Sequence, residues 1–172
     1  MSTPAATDGS AATRDLEWPV FRYDRILVAI DDSRESRLAL SRAVDIARRA
    51  NARLDLLLSS VVPSSTYWGG AGQSLETNEI YYSRVLREAA ASVEGVPVTS
   101  YLVRGNAAAR ILEHAERHGC DLIVMGSRGR NRAVAALLGS TSHAVLHAAS
   151  VPVLIVHGEA TDEREWLQGA VA

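Results

Sequence analysis

Short apolar runs without any alternation between apolar and polar positions are the feature that most narrows what this chain can fold into. Arg25-Ile-Leu-Val-Ala-Ile-Asp31 is the clearest: five consecutive apolar side chains leave no polar face, which suits a strand buried on both sides in a parallel sheet. Leu54 to Val62 is a second run. Val96-Pro-Val-Thr-Ser-Tyr-Leu-Val103 is a third, with its proline near the start, where a missing N–H is tolerated. Asp121-Leu-Ile-Val-Met125 and Val151-Pro-Val-Leu-Ile-Val156 are the fourth and fifth. Between these runs the apolar spacing becomes helical. Residues 34–50 carry Leu38, Leu40, Ala43, Val44, Ile46 and Ala47 behind an N-cap candidate, Ser33, and end at Asn51. Helices are also expected over 76–94, from an Asn106 cap to about His118 with Gly119 as the stop, and over Ser140–Ala149. Strands alternating with helices at this spacing require right-handed crossovers. The expected fold is therefore α/β: one open, mostly parallel, doubly wound sheet with helices on both faces.

At 172 residues the chain is one domain long with some to spare, and it divides into an arm over 1–20, a domain over 21–158 and a tail over 159–172. The formal net charge of −2, from 18 basic and 20 acidic residues, speaks against a nucleic-acid binder that works by neutralising phosphates. All 18 basic residues are arginine. A Walker-type phosphate lysine, a Schiff-base lysine and a lysine general base are thereby excluded. Cys120 stands alone, so no intrachain disulfide, thiolate zinc knuckle or Cys-x-x-Cys pair can form, which fits a reducing cytoplasm. The first thirteen residues lack the basic start and apolar stretch of a secretory signal. No run approaches the roughly 18 apolar residues of a membrane helix.

Doubly wound sheets bind ligands beyond the carboxyl ends of their strands, where the strand order reverses. Three segments fall there: Asp31-Asp32, Val61 to Ser65, and Gly126-Ser-Arg-Gly129. Asp31-Asp32-Ser33 has two readings. One is helix capping, with a dipole contribution of roughly 0.3–1 kcal/mol. The other is a carboxylate that accepts hydrogen bonds from a ribose hydroxyl or base amine, or holds Mg²⁺ through water. The glycine segment is more specific. Gly126, Gly129 and Gly139 form Gly-x2-Gly-x9-Gly, followed at once by Ser140, Thr141 and Ser142 at a helix start. Glycines permit positive φ and close approach, while helix N–H groups and three hydroxyls offer donors to anionic oxygens: a phosphate cradle without lysine. The plainer reading is a glycine-permitted loop with Ser140 as an ordinary N-cap. Arg128, Arg130 and Arg132 favour an anionic ligand.

These residues resemble the universal stress protein family over roughly residues 22–157. The Gly-x2-Gly-x9-Gly-Ser/Thr hallmark is met by Gly126, Gly129, Gly139 and Ser140, the opening strand ending in Asp by Ile26 to Asp31, and the closing helix and strand by Ser142 to Val156. The resemblance implies a flavodoxin-like or Rossmann-like sheet of five strands ordered 3-2-1-4-5, and the family's ATP-binding branch. It places Ala29, Ile30 and Asp31 on the nucleoside and Val61 on adenine. It places the phosphates on Gly126, Gly129, Gly139, Ser140, Thr141 and Ser142, with Met125, Ser127 and Arg128 close by. Asp31-Asp32 departs from the family's usual Asp-Gly, a loss of glycine expected to narrow backbone access near the ribose. The family also implies a homodimer through antiparallel pairing of fifth strands. Elementary physics agrees, since Val153–Val156 would otherwise be an apolar sheet edge.

The remaining features carry less. His114 and His118, like His143 and His147, sit four apart on helices, but no third ligand is evident and no metal site is expected. Cys120 reads as a small buried hydrophobe. Tyr67 and Trp68 suit either a lid or a cover over apolar surface, and Trp166 a docked tail. Neither Gly-x-Gly-x-x-Gly nor Gly-x-Ser-x-Gly is present, and no base to activate water is visible. The expected function is ATP binding, with Mg²⁺, by a cytoplasmic homodimeric regulatory module that turns ATP over slowly if at all. Two alternatives are a nucleotide-free module that binds a protein partner and a variant preferring AMP or cyclic AMP.

Overall fold

The computed structural model describes residues 22–60, 71–127 (71–78 as backbone only) and 138–158. The expectations for Val61, Tyr67, Trp68, Arg128, Gly129, Arg130, Arg132 and Trp166, and for the arm and tail, lie outside the described residues. Five strands, β1 (Arg25–Ala29), β2 (Arg53–Ser60), β3 (Val98–Arg104), β4 (Leu122–Gly126) and β5 (Val153–Val156), form one sheet in the order β3-β2-β1-β4-β5. Every neighbouring pair is parallel, with Ile26 opposite both Leu54 and Leu122. The helices are α1 (Arg34–Ala50), α2 (Ala71–Ala91), α3 (Ala107–His118) and α4 (Ser140–Ala148).

Burial explains the unalternating strands. Ile26 and Val28 of β1, Leu54, Leu56 and Leu58 of β2, and Leu122 and Val124 of β4 pack with Ala39, Leu40, Ala43 and Val44 of α1 and Val85 and Leu86 of α2. The intervening Leu27, Leu57, Ile123 and Met125 point the other way, onto Ile111 and Ala115 of α3 and Val145 of α4. Each fully buried Leu, Ile or Val contributes roughly 1.5–3 kcal/mol. Both faces of the central strands must therefore be apolar. The exception is Asp55, in the third position of β2 and buried on the α3 side.

Local signals set most helix ends. Ser33 Oγ accepts the Ser36 N–H at 3.0 Å, and Asn51 closes α1 in the left-handed conformation at φ 55°. Asn106 Oδ1 accepts the Ala109 N–H at 3.0 Å, and Gly119 closes α3 at φ 63°. Three expectations shift. Helix α2 starts at Ala71 rather than 76. Strands β3 and β5 begin only after Pro97 and Pro152, which cannot donate to the ladder but whose carbonyls accept from Leu54 and Ile123. At α4 the cap is Gly139, not Ser140. Among the described residues no helix is long and apolar enough to cross a membrane.

The glycine of β4 has a steric cause rather than the expected positive φ. Gly126 is absent from the left-handed region, and Gly139 has φ −68°. A Cβ on Gly126 would lie 2.8 Å from Cβ and 2.9 Å from the carbonyl carbon of Glu35, in the first turn of α1. Gly126→Ala must push that turn away from β4. It is expected to lower stability by about 1–3 kcal/mol in urea unfolding, and an unchanged midpoint would show that the turn has slack.

Candidate functional site

Strand order dictates where the sheet opens. From β1 the chain moves outward through β2 to β3, then returns across the sheet to β4 on the other side of β1. The connections leaving β1 and β4 therefore diverge to opposite faces, and a cleft lies between them. A cavity of about 420 Å³ occupies this position, within the roughly 300–1,000 Å³ range of small-molecule sites. It is lined by Ala29, Ile30, Asp31, Met125, Gly126, Gly139, Ser140, Thr141 and Ser142 of the expected set. Ser36, Leu57, Leu58, Ser59, Tyr82, Ala107 and Ile111 also line it and were not expected. Among the described lining residues the ionisable side chains are Asp31 and Tyr82.

Several of these groups are held in place. Asp31 Oδ1 accepts from both the backbone N–H (3.1 Å) and the hydroxyl (2.6 Å) of Ser33, so the carboxylate is fixed at the strand end while Ser33 caps α1. The capping network of the first reading is formed, and Asp31 also lines the cavity. Ser142 is buried, and its hydroxyl donates to the Gly126 carbonyl at 2.9 Å, tying the first turn of α4 to the end of β4. Ser140 is exposed and Thr141 half-buried. No side chain caps α4, whose N-cap Gly139 has none to offer. The N–H groups of its first turn, which have no intrahelical partner, therefore lie beside the cavity. Ser127 sits behind the wall: its N–H donates to the Val156 carbonyl (2.8 Å), and its carbonyl accepts the Gly139 N–H (2.7 Å). That last bond joins the two ends of the glycine segment.

Asp32 behaves differently from the expectation. It adopts φ 65°, the left-handed conformation that glycine enters without a Cβ penalty and aspartate tolerates. The backbone requirement that glycine would satisfy is therefore present. The side chain does not line the cavity. It lies in the neighbouring groove between α1 and α2, where it accepts from the Tyr81 hydroxyl at 2.5 Å and from Arg37 Nη1 at 2.7 Å. Tyr81 and Tyr82 meet edge to face, with centroids 5.4 Å apart, so the Asp32 contact also sets the helix that presents Tyr82 to the cavity.

Fold and site define a doubly wound α/β protein with a cavity at the topological switch point. The sequence model of the universal stress protein family matches residues 22–157. Universal stress protein YxiE of Bacillus subtilis is 34% identical over 146 residues, covering 78% of this chain and 99% of YxiE. Among solved structures, hypothetical protein MJ0577 is similar with a TM-score of 0.76 at 23% identity, over 81% of this chain and 99% of its own. A universal stress protein in complex with cAMP is similar with a TM-score of 0.61 at 28% identity, over 80% and 98%. The chain belongs to the universal stress protein family.

The lining residues missing from the sequence reading differ in what announced them. Leu57, Leu58 and Ser59 end the second strand and Ala107 opens the helix after the third, so the rule that picked out Asp31 reaches them too. Tyr82 has no local signal, because only the packing of α2 brings it here. Removing the Tyr81 hydroxyl tests that packing: Tyr81→Phe is expected to cost about 1–2 kcal/mol, the range for a hydrogen bond to a partly exposed carboxylate. In an Asp32→Gly background the same change should cost little. An equal cost in both backgrounds would show that the hydroxyl acts elsewhere.

Proposed function

We propose that this protein binds an adenine nucleotide, ATP with Mg²⁺, in the switch-point cavity and acts as a homodimeric regulatory module rather than a rapid catalyst. The observation that carries the reading is the division of the cavity lining. Ile30, Leu57, Leu58, Tyr82, Ile111 and Met125 give apolar surface for a planar base, whereas the uncapped start of α4, directly after Gly139 and beside the side-chain-free wall at Gly126, gives first-turn N–H donors for phosphate. Asp31, held by Ser33, is placed to accept from a ribose hydroxyl or to hold Mg²⁺ through water. Gly129 and Arg128 join the phosphate side on the strength of the sequence motif. The chain has no lysine, so phosphate recognition rests on backbone N–H groups, hydroxyls and arginine.

The dimer rests on β5. It is a sheet edge, and all four of its residues, Val153, Leu154, Ile155 and Val156, are half-buried where β4 is fully buried. Antiparallel pairing with a second copy removes an apolar edge. Slow turnover is in keeping with the described lining residues, among which there is no histidine to position water. Turnover well below about 1 s⁻¹ is expected. The similar structure holding cAMP favours a second reading, in which the cavity prefers a nucleoside monophosphate or its cyclic form.

Acid release of nucleotide from the purified protein, followed by thermal shifts with ATP·Mg²⁺, AMP and cyclic AMP, separates these readings. ATP at about 100 times its dissociation constant should add roughly 2.7 kcal/mol of stability. Larger shifts with AMP or cyclic AMP would favour the second reading, and no shift with any of the three would favour a module that binds a protein partner. Asp31→Ala should weaken ATP binding by about 10- to 100-fold, the equivalent of one charged hydrogen bond, and leave inorganic tripolyphosphate binding nearly intact. Unchanged ATP affinity in Asp31→Ala would remove the nucleoside from this cavity.

A further inference from the structure

The end of the sheet opposite the cavity holds a different chemistry. Asp55 near the start of β2, His114 in α3 and Cys120 just before β4 are all buried. A carboxylate oxygen, an imidazole nitrogen and the sulfur of the three lie within 4.8 Å of one another. We propose that Asp55, His114 and Cys120 form a binding site for a divalent transition-metal ion of borderline softness, with Zn²⁺ as the reference ion.

Three observations converge on this. The first is the cost of Asp55. It is 1% exposed on a face otherwise built from Leu27, Leu57, Ile111 and Ile123, where a carboxyl group needs polar partners. Its bond to His114 Nε2 at 2.9 Å ties the buried carboxyl to a second potential metal ligand. Arg25, a nearby cation, donates one hydrogen bond to the His118 carbonyl at 2.9 Å. The second is the donor set. Oxygen, nitrogen and sulfur together match the ligands of Zn²⁺, and three protein ligands leave the fourth tetrahedral position open. Bond lengths of about 2.0–2.3 Å put tetrahedral ligand atoms roughly 3.3–3.6 Å apart. The 2.9 Å Asp55–His114 contact opens by a few tenths of an ångström to admit an ion, and a pair as far apart as 4.8 Å closes by about 1 Å.

The third observation is the packing of His114. His118, one helical turn beyond His114 and only half-buried, stacks on the His114 ring with centroids 4.0 Å apart and planes 20° apart. Tyr101 meets both rings, at 4.4 and 5.3 Å. His118 and Tyr101 thus pack the His114 ring in place on the side where His118 is only half-buried. The sequence pointed to the His114/His118 spacing and found no third ligand. The fold supplies two, from residues 59 positions before His114 and six after it. Burial pushes the Cys120 thiol up to about 12, so the free thiol is inert at neutral pH. Binding replaces its proton with the metal: the S–H bond breaks, a metal–sulfur bond forms and one proton leaves to solvent, with no change of oxidation state.

The test uses the full-length, untagged protein, stripped with a chelator and titrated with Co²⁺ as a spectroscopic stand-in for Zn²⁺. One equivalent is expected to bind with an intense thiolate-to-cobalt absorption that added Zn²⁺ abolishes. Cys120→Ala, a small apolar replacement whose folding is checked by circular dichroism, should lose that absorption and weaken Zn²⁺ binding by about 100-fold or more. A His143→Gln/His147→Gln double variant should keep it, since that exposed pair can hold cobalt only without sulfur. Absence of the thiolate band in the wild type, or an identical band in Cys120→Ala, would overturn the proposal and leave the trio as a hydrogen-bonded pair beside a buried thiol.

Discussion

Burial of β1 and β4 on both faces is the constraint from which the rest of this structure follows. A strand carrying Ile26, Leu27 and Val28 cannot expose either side, so one helical layer is not enough. Helices α1 and α2 cover one face, and α3 and α4 the other. Helices connecting parallel strands reach opposite faces only if the chain winds outward from β1 in one direction and then in the other. The reversal between β1 and β4 is the consequence, and the cleft at their carboxyl ends comes with it. The cavity is thus a by-product of where apolar side chains must go.

Close approach then shapes that cleft. The first turn of α1 lies so near β4 that position 126 has no room for a Cβ. Ser142 returns from α4 to the Gly126 carbonyl, and Gly139 closes onto Ser127. The Gly-x2-Gly-x9-Gly pattern therefore marks packing at its first glycine and an open helix start at its last. Both effects bring backbone close to whatever occupies the cavity.

How much of this was legible in the sequence depended on the range of the interaction that decides each feature. Ser33, Asn51, Asn106 and Gly119 act within one helical turn, and their roles could be read directly. Asp31, Gly126 and Gly139 could be placed because strand ends and helix starts are local, and the rule for where open sheets bind ligands does the rest. Tyr82 could not, because its position depends on how α2 docks, through Tyr81, onto Asp32. Asp55 was hidden for another reason. Within an apolar run one carboxylate looks like a solvent-facing position, and only the knowledge that β2 is covered on both faces turns it into a buried charge.

The two ends of the sheet handle polarity in opposite ways. At the carboxyl end Asp31 lies at a cavity wall, half-buried, with Ser33 donating two hydrogen bonds to one of its oxygens. Water or a ligand can complete its solvation there, and the carboxylate costs the fold little. At the amino end Asp55 is closed in by α3, and its hydrogen bond goes to an imidazole that burial disfavours from carrying charge. Replacing Asp55 and His114 by apolar residues of similar volume would be the cheaper way to fill that core. A chain selected for stability alone has little reason to keep a carboxylate, an imidazole and a thiol in contact inside an otherwise apolar layer. Holding them in contact costs the fold stability, and the metal site proposed for them would give that cost a use.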